Sequence, residues 1–132
     1  MNGIHVAHEG GDRYRIRIRG HEVFVDQPVD GGGKDTAPTP TELWVAGLAS
    51  CVAFYGGRFL RRHDLPTEGF AVDCGFSFAA DRPARVGTIE MVVRLPGGFP
   101  EERRKAFTSV VEHCTVHNSM HAPPEVKIAL EP

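Results

Sequence analysis

Between Arg13 and Arg19 the chain alternates without interruption, Arg-Tyr-Arg-Ile-Arg-Ile-Arg. Tyr14, Ile16 and Ile18 share one face and the four arginines share the other, the pattern of a half-buried strand. Gly20 and His21 supply a turn, and Glu22-Val23-Phe24-Val25 returns as a hairpin partner, so the opening section reads as short antiparallel strands. Residues 27–38 carry two prolines and three consecutive glycines and read as a loop.

The period changes at Thr39. Thr39 fits an N-cap, Pro40 the first helical position and Glu42 the third, which together make a capping box. From Leu43 to Tyr55 nearly every residue is apolar or small. That run is too long for an ordinary strand and predicts a helix buried on most sides. Gly47, Ala49, Ser50 and Ala53 leave room for close approach, while Gly47, Gly56 and Gly57 weaken helix propensity. The polar tail from Arg58 to His63 puts cations at the helix end, where they are favoured. Beyond the Leu65–Gly69 break, residues 70–79 and 86–95 read as strands joined by a turn at Asp81–Ala84. Pro96–Pro100 breaks the pattern again. Glu101–Cys114 reads as a second helix, and Val126–Leu130, after Pro123-Pro124, as a closing strand. The order βββ-α-ββ-α-β predicts a small α+β fold over residues 1–132, with an antiparallel sheet and two principal helices.

Composition narrows the function classes. The 132 residues are 41% hydrophobic and 24% charged, with a formal net charge of −2. That length suffices for one domain with its own core, and that charge gives no global case for nucleic acid or an acidic membrane. Arg58, Arg61 and Arg62, like Arg103-Arg104-Lys105, read as solvated helix faces without the interleaved aromatics of a nucleic-acid surface. No uninterrupted apolar run reaches the ~18 residues of a membrane span. The N-terminus lacks the basic-then-apolar order of a signal peptide, so a cytoplasmic location is the expectation. Gly31-Gly32-Gly33-Lys34 lacks the spacing of a phosphate loop.

Three cysteines, Cys51, Cys74 and Cys114, leave one over from any single bridge, and their spacing makes neither a CxxC pair nor a cysteine-only zinc knuckle. Alternation places Cys74 with Val72 and Phe76 on one strand face, which predicts core packing. Cys51 lies within the apolar helix and Cys114 at the end of the second one, amid Glu112-His113-Cys114-Thr115-Val116-His117-Asn118. Either is a buried small hydrophobe or a working thiol. Two separated thiols offer a two-step reduction, in which a thiolate becomes sulfenic acid and a second thiol condenses with it. A free thiol of pKa ~8.5 is little ionised at neutral pH, so a nearby cation or helix terminus is expected. Arg13, Arg15, Arg17 and Arg19 are candidates, as is Arg58, two turns beyond Cys51. His113, His117 and His121 recur every fourth residue beside Cys114, a metal-ligand spacing if the segment stays helical. Asn118, Ser119 and Ala122-Pro123-Pro124 argue that the helix ends soon after Cys114, and no metal or other cofactor is expected.

Asp26-Gln27-Pro28, Gly31-Gly32-Gly33, Thr39-Pro40-Thr41-Glu42-Leu43, Ala49-Ser50-Cys51 and His113–Asn118 together resemble the OsmC/Ohr family of thiol-dependent hydroperoxide reductases. The resemblance runs in order over nearly the whole chain. It implies an OsmC-like fold, an intertwined homodimer with two central helices, and a role in oxidative stress. By the same resemblance Cys51 attacks an organic hydroperoxide, or hydrogen peroxide, and Cys114 resolves. An external dithiol or lipoyl-type reductant then reopens the disulfide. Cys74 matches no functional position of the family. The family's peroxidase branches place a glutamate ten residues before the first cysteine, holding an arginine against the thiolate. Thr41 stands there, Glu42 is one residue later and about 100° round the helix, and the family's glycine-arginine signature is replaced by Gly11-Asp12-Arg13. Glu42 and Arg13 are the candidates for that pair, in what resembles a more divergent branch. Trp44, Leu48, Phe54 and Tyr55 are candidates for an apolar channel or for the core. The competing reading is a non-enzymatic ligand-binding or structural dimer that keeps the fold; a minor one is a metal module of Cys114, His117 and His121.

Overall fold

The arginine–isoleucine alternation forms the middle strand of a three-stranded antiparallel sheet, β1 (Ile4–Gly10), β2 (Arg13–Ile18) and β3 (His21–Val25). This is a computed structural model, and it describes residues 3–132. Ile16 sits between Val6 and Val23, and Tyr14 faces Val25, so the apolar positions share a face as their period requires. On the opposite face Arg17 is paired with Glu22 at 3.2 Å. After β3 the buried Asp26 organises the loop, whose residues 29–31 form one 3-10 turn. Its carboxylate accepts the Thr36 hydroxyl at 2.6 Å, the Thr36 N–H at 3.0 Å and the Gln27 N–H at 2.8 Å. Those bonds, led by the Thr36 hydroxyl, lower its pKa to about 2. Gly33 lies so close to the Gln27 backbone that no β-carbon has room there.

The capping box forms as expected. The Thr39 hydroxyl accepts the Glu42 N–H at 3.0 Å, and the Glu42 carboxylate accepts the Thr39 N–H at 2.8 Å. It opens α1 (Pro40–Arg62), and the chain divides into two compact units, one ending at Trp44 and one spanning Val45–Pro132.

In the second unit β4 (Ala71–Phe78) and β5 (Val86–Arg94) form an antiparallel hairpin with Val72 opposite Val93 and Phe76 opposite Ile89. Leu48 and Val52, a helical turn apart on α1, are buried together with Cys114, and Val72, Ile89, Met91 and Val93 close over them. A second cluster joins Phe59 and Leu60 of α1 to Phe107, ringed by Phe70, Leu95 and Phe99. Gly56 is where this cluster meets α1: a β-carbon there would lie 2.7 Å from Phe70 Cζ and 3.0 Å from Phe107 Cζ. By length and composition α1 also suffices to cross a bilayer, at 23 residues and a mean hydropathy of 1.4 over an 18-residue window. Core helices pass the same test, and Leu48, Val52, Phe59 and Leu60 are buried against protein.

Three expectations need correction. Glu101–Cys114 is not one helix: a 3-10 turn (Glu101–Arg103) leads into α2 (Arg104–Val111), and after a short break α3 runs from Thr115 to His121. Cys114 therefore starts a third helix instead of ending the second. Val126–Leu130 forms no strand, although Val126, Ile128 and Leu130 keep the strand alternation and are 76%, 87% and 95% exposed. A strand exists only where another supplies its ladder, and no described strand of this chain runs beside this segment. Cys74 does share a face with Val72 and Phe76, yet it is exposed. Period two assigns a face; it does not say how far along that face a helix lies over it. The remaining elements agree with the α+β expectation of antiparallel strands and core helices.

Candidate active site at the Cys51–Cys114 pair

The two cysteines that sequence separates by 63 positions are brought together by one core cluster. On α1 Cys51 follows Leu48 by three residues, so it lies at the edge of the buried stripe, half-buried. Cys114 leaves the helical conformation at φ −69° and ψ 157° and serves as N-cap of α3. Its Sγ accepts the His117 N–H at 3.4 Å and its carbonyl accepts the Asn118 N–H at 2.9 Å. It is wholly buried, against Leu48 and Val52. Cys51 packs against the same cluster of Leu48, Val52 and Cys114. Burial pushes the Cys114 thiol pKa up, the His117 N–H pulls it down, and the neighbouring Cys51 sulfur adds to the upward push. The pair thus consists of one half-buried cysteine and one wholly buried cysteine, with no bond between them.

Polar contacts brace both sides of the pair. The Tyr55 hydroxyl meets the Thr115 hydroxyl at 2.8 Å, tying α1, one turn beyond Cys51, to the first residue of α3. Side chains on a helix lean toward its N-terminus, and Arg58 does so, with its guanidinium 4.9 Å from the Tyr55 ring centre and 5.2 Å from that of Phe54. Of the cations considered from sequence, Arg58 is the one whose place on this unit's helix lies nearest Cys51. The His117 and His121 rings lie 4.6 Å apart on α3. Among the described residues no three His, Cys, Asp or Glu side chains gather as metal ligands.

Arg13 and Glu42 belong to the unit that ends at Trp44. Arg13 lies 4.2 Å over the Phe24 ring and donates to the Thr36 hydroxyl at 2.8 Å, joining the Asp26 network. Glu42 holds the capping box. Among the described residues no ion pair includes either side chain. Of the four channel candidates, Leu48 is core, Tyr55 is half-buried, and Trp44 and Phe54 are exposed at 48% and 53%. Sequence reading missed Thr36 as the partner of Asp26 and Thr115 as the partner of Tyr55. The second pair spans 60 positions, and no local period connects them.

Comparison with known proteins identifies the family and the fold. The profile of OsmC-like proteins matches residues 31–129. A Psychrobacter arcticus protein, described as a candidate osmotic-stress-induced and detoxification response protein, superposes at a TM-score of 0.82 and 27% identity. That match covers 90% of this chain and 88% of the other. An OsmC-like protein of Mycoplasma pneumoniae gives a TM-score of 0.78 at 13% identity, covering 93% and 89%. The organic hydroperoxide resistance protein OhrB of Bacillus subtilis gives 0.60 at 16% identity, covering 92% of each chain. No curated protein sequence matches the chain.

Proposed function

Because this chain belongs to the family of OsmC-like proteins, we propose that it reduces organic hydroperoxides, and hydrogen peroxide as well, through Cys51 and Cys114. The observation that carries the reading is the pair itself: a half-buried cysteine packed against the core cluster that holds a wholly buried one. The Cys51 thiolate attacks the terminal oxygen of the hydroperoxide, the O–O bond breaks, and the alkoxide leaves as alcohol after taking a proton. Cys51 is then a sulfenic acid, oxidised by two electrons. The Cys114 thiolate attacks that sulfur, the S–S bond forms, and the hydroxyl leaves as water. An external dithiol or lipoyl-type reductant returns both cysteines to thiols by exchange.

The roles follow from access. Peroxide must reach the attacking sulfur, and of these two residues Cys51 is the one with exposed surface; Cys114 needs no substrate, only its neighbour. Arg13 is the cation proposed to favour the thiolate. An intertwined homodimer is part of the proposal. Its support is the apolar surface this chain leaves open, at Ile4 and Val6 of β1 and along Val126, Ile128 and Leu130. A cytoplasmic location suits thiols that must be re-reduced. A ligand-binding dimer without turnover is the second reading, favoured by the commitment of Glu42 to its helix cap.

Steady-state assays with an organic hydroperoxide and a reducing dithiol separate the two. The proposal expects turnover by the wild-type chain and by Cys74→Ser, none by Cys51→Ser, and a single stalled turnover by Cys114→Ser. Equal rates for wild type and Cys51→Ser would overturn it.

A further inference from the structure

The second half of α1 and the end of α2 enclose an open cleft of about 540 Å³, within the range of small-molecule sites. Tyr55, Phe59 and Val110 give it apolar walls, and neither Cys51 nor Cys114 lines it. Its charged lining is of one sign. Arg58 and Arg62 both border it, no carboxylate does, and among the described residues neither arginine is in an ion pair. The sequence reads these arginines as a solvated helix face; the fold instead turns them toward an apolar recess. The Arg58 guanidinium lies over the Tyr55 and Phe54 rings, 4.9 and 5.2 Å from their centres, and its planar N–H edge offers a two-point bond. That edge matches a carboxylate, which accepts two parallel N–H bonds.

The histidines of the cleft are prepared in the same way. His63 donates from Nδ1 to the Phe59 carbonyl at 2.9 Å, and His113 from Nδ1 to the Ser109 carbonyl at 2.6 Å. A carbonyl only accepts, so each Nδ1 carries the proton and Nε2 is the nitrogen left for another partner. His63 is further fixed by stacking on Phe59, ring centres 4.0 Å apart.

We propose that this cleft binds a small organic carboxylate with an apolar or aromatic body, its acid on Arg58 and Arg62 and its body on Tyr55, Phe59 and Val110. The site adjoins the thiol pair without containing it: His113 precedes Cys114, and Tyr55 holds Thr115, which follows it. The ligand is therefore not held for attack by either sulfur, and its binding does not depend on peroxidase activity.

The test compares 4-phenylbutyrate with 4-phenyl-1-butanol, which keeps the body and lacks the charge. Both are titrated into reduced full-length protein while the His63 and His113 ring resonances are followed by NMR. The proposal expects the acid to shift both histidines and to bind at least ~10-fold tighter than the alcohol, since charge-assisted bonds are about twice as strong as neutral ones. Arg58→Gln and Arg62→Gln, shown folded by circular dichroism, are expected to lose that preference. Equal affinity for acid and alcohol overturns the proposal, as do shifts that spare His63 and His113. Resonances that change with protein concentration while the acid fails to bind would place a second copy of the chain in the cleft and overturn it too.

Discussion

Gly56 and Gly57 are neighbours on α1, both buried, yet alanine is predicted to act in opposite directions at the two. In a helix interior Gly→Ala stabilises by about 1 kcal/mol when the new methyl meets nothing. At Gly57 the nearest atoms to such a methyl are Arg61 Nη1 at 3.4 Å, the end of a flexible side chain, and Phe70 Cε2 at 3.7 Å. Both distances are close to ordinary contact, so Gly57→Ala should gain ~0.5–1 kcal/mol. At Gly56 the methyl would stand 2.7 Å from Phe70 Cζ and 3.0 Å from Phe107 Cζ, against the roughly 3.5–4.0 Å at which carbons pack. Neither ring can step aside freely. They stand edge to face with centres 6.3 Å apart, and Phe107 is wedged by Phe59 and Phe99, each at 5.4 Å. Overpacking of that kind costs ~1–3 kcal/mol, which offsets the helix gain and leaves Gly56→Ala up to ~2 kcal/mol less stable than wild type. Urea denaturation followed by circular dichroism, at one fixed protein concentration, measures both variants against wild type. The consequence extends to the thiols, because Phe107 anchors α2 and the chain that leads to Cys114. A Gly56→Ala variant as stable as Gly57→Ala would refute the placement of both rings.

Asp26 provides a pH test. Its pKa is lowered to about 2 in the folded chain, against ~3.9 in an unfolded one. Its contribution is therefore complete above ~pH 4 and is lost as pH falls toward 2, and Asp26→Asn should flatten the stability profile over that window in acid-titrated urea melts. Thr39→Ala removes one bond of the capping box and should cost ~1 kcal/mol in the same melts. Glu42→Gln keeps an acceptor for the Thr39 N–H and should change hydroperoxide turnover by less than ~2-fold; a larger loss would assign Glu42 a part in the thiol chemistry. In the native reduced protein an alkylating reagent should modify Cys74 and Cys51 and leave the wholly buried Cys114 untouched until urea is added, as peptide mass mapping will show.

The elements set by local rules were legible in the sequence. Strand β2 follows from its period of two, and the start of α1 follows from Thr39, Pro40 and Glu42, whose bonds form as their types predict. What depends on distant chain was not legible. Cys114 caps α3 because its buried sulfur meets the His117 N–H while it packs on Leu48 and Val52, and only the fold supplies that core. Cys74 keeps its face and loses its cover for the same reason. Val126–Leu130 carries a strand pattern, yet a pattern cannot name the neighbour that would complete its ladder. The cysteine pair was reached through resemblance, which put two distant thiols in one reaction before the shared core cluster showed them side by side. The cleft of Arg58 and Arg62 had no signal at all, since the same arginine spacing describes a solvated helix face.

The central claim is that Cys51 and Cys114 act as one redox pair, and a single-turnover experiment addresses it most directly. Reduced protein is mixed with one equivalent of an organic hydroperoxide, quenched in acid, and mapped by mass spectrometry while the alcohol product is counted. The account predicts one alcohol per chain, a Cys51–Cys114 disulfide within that chain, and Cys74 still a thiol. Alcohol formation with Cys51 and Cys114 left reduced, or oxidation spread evenly over all three cysteines, would contradict it.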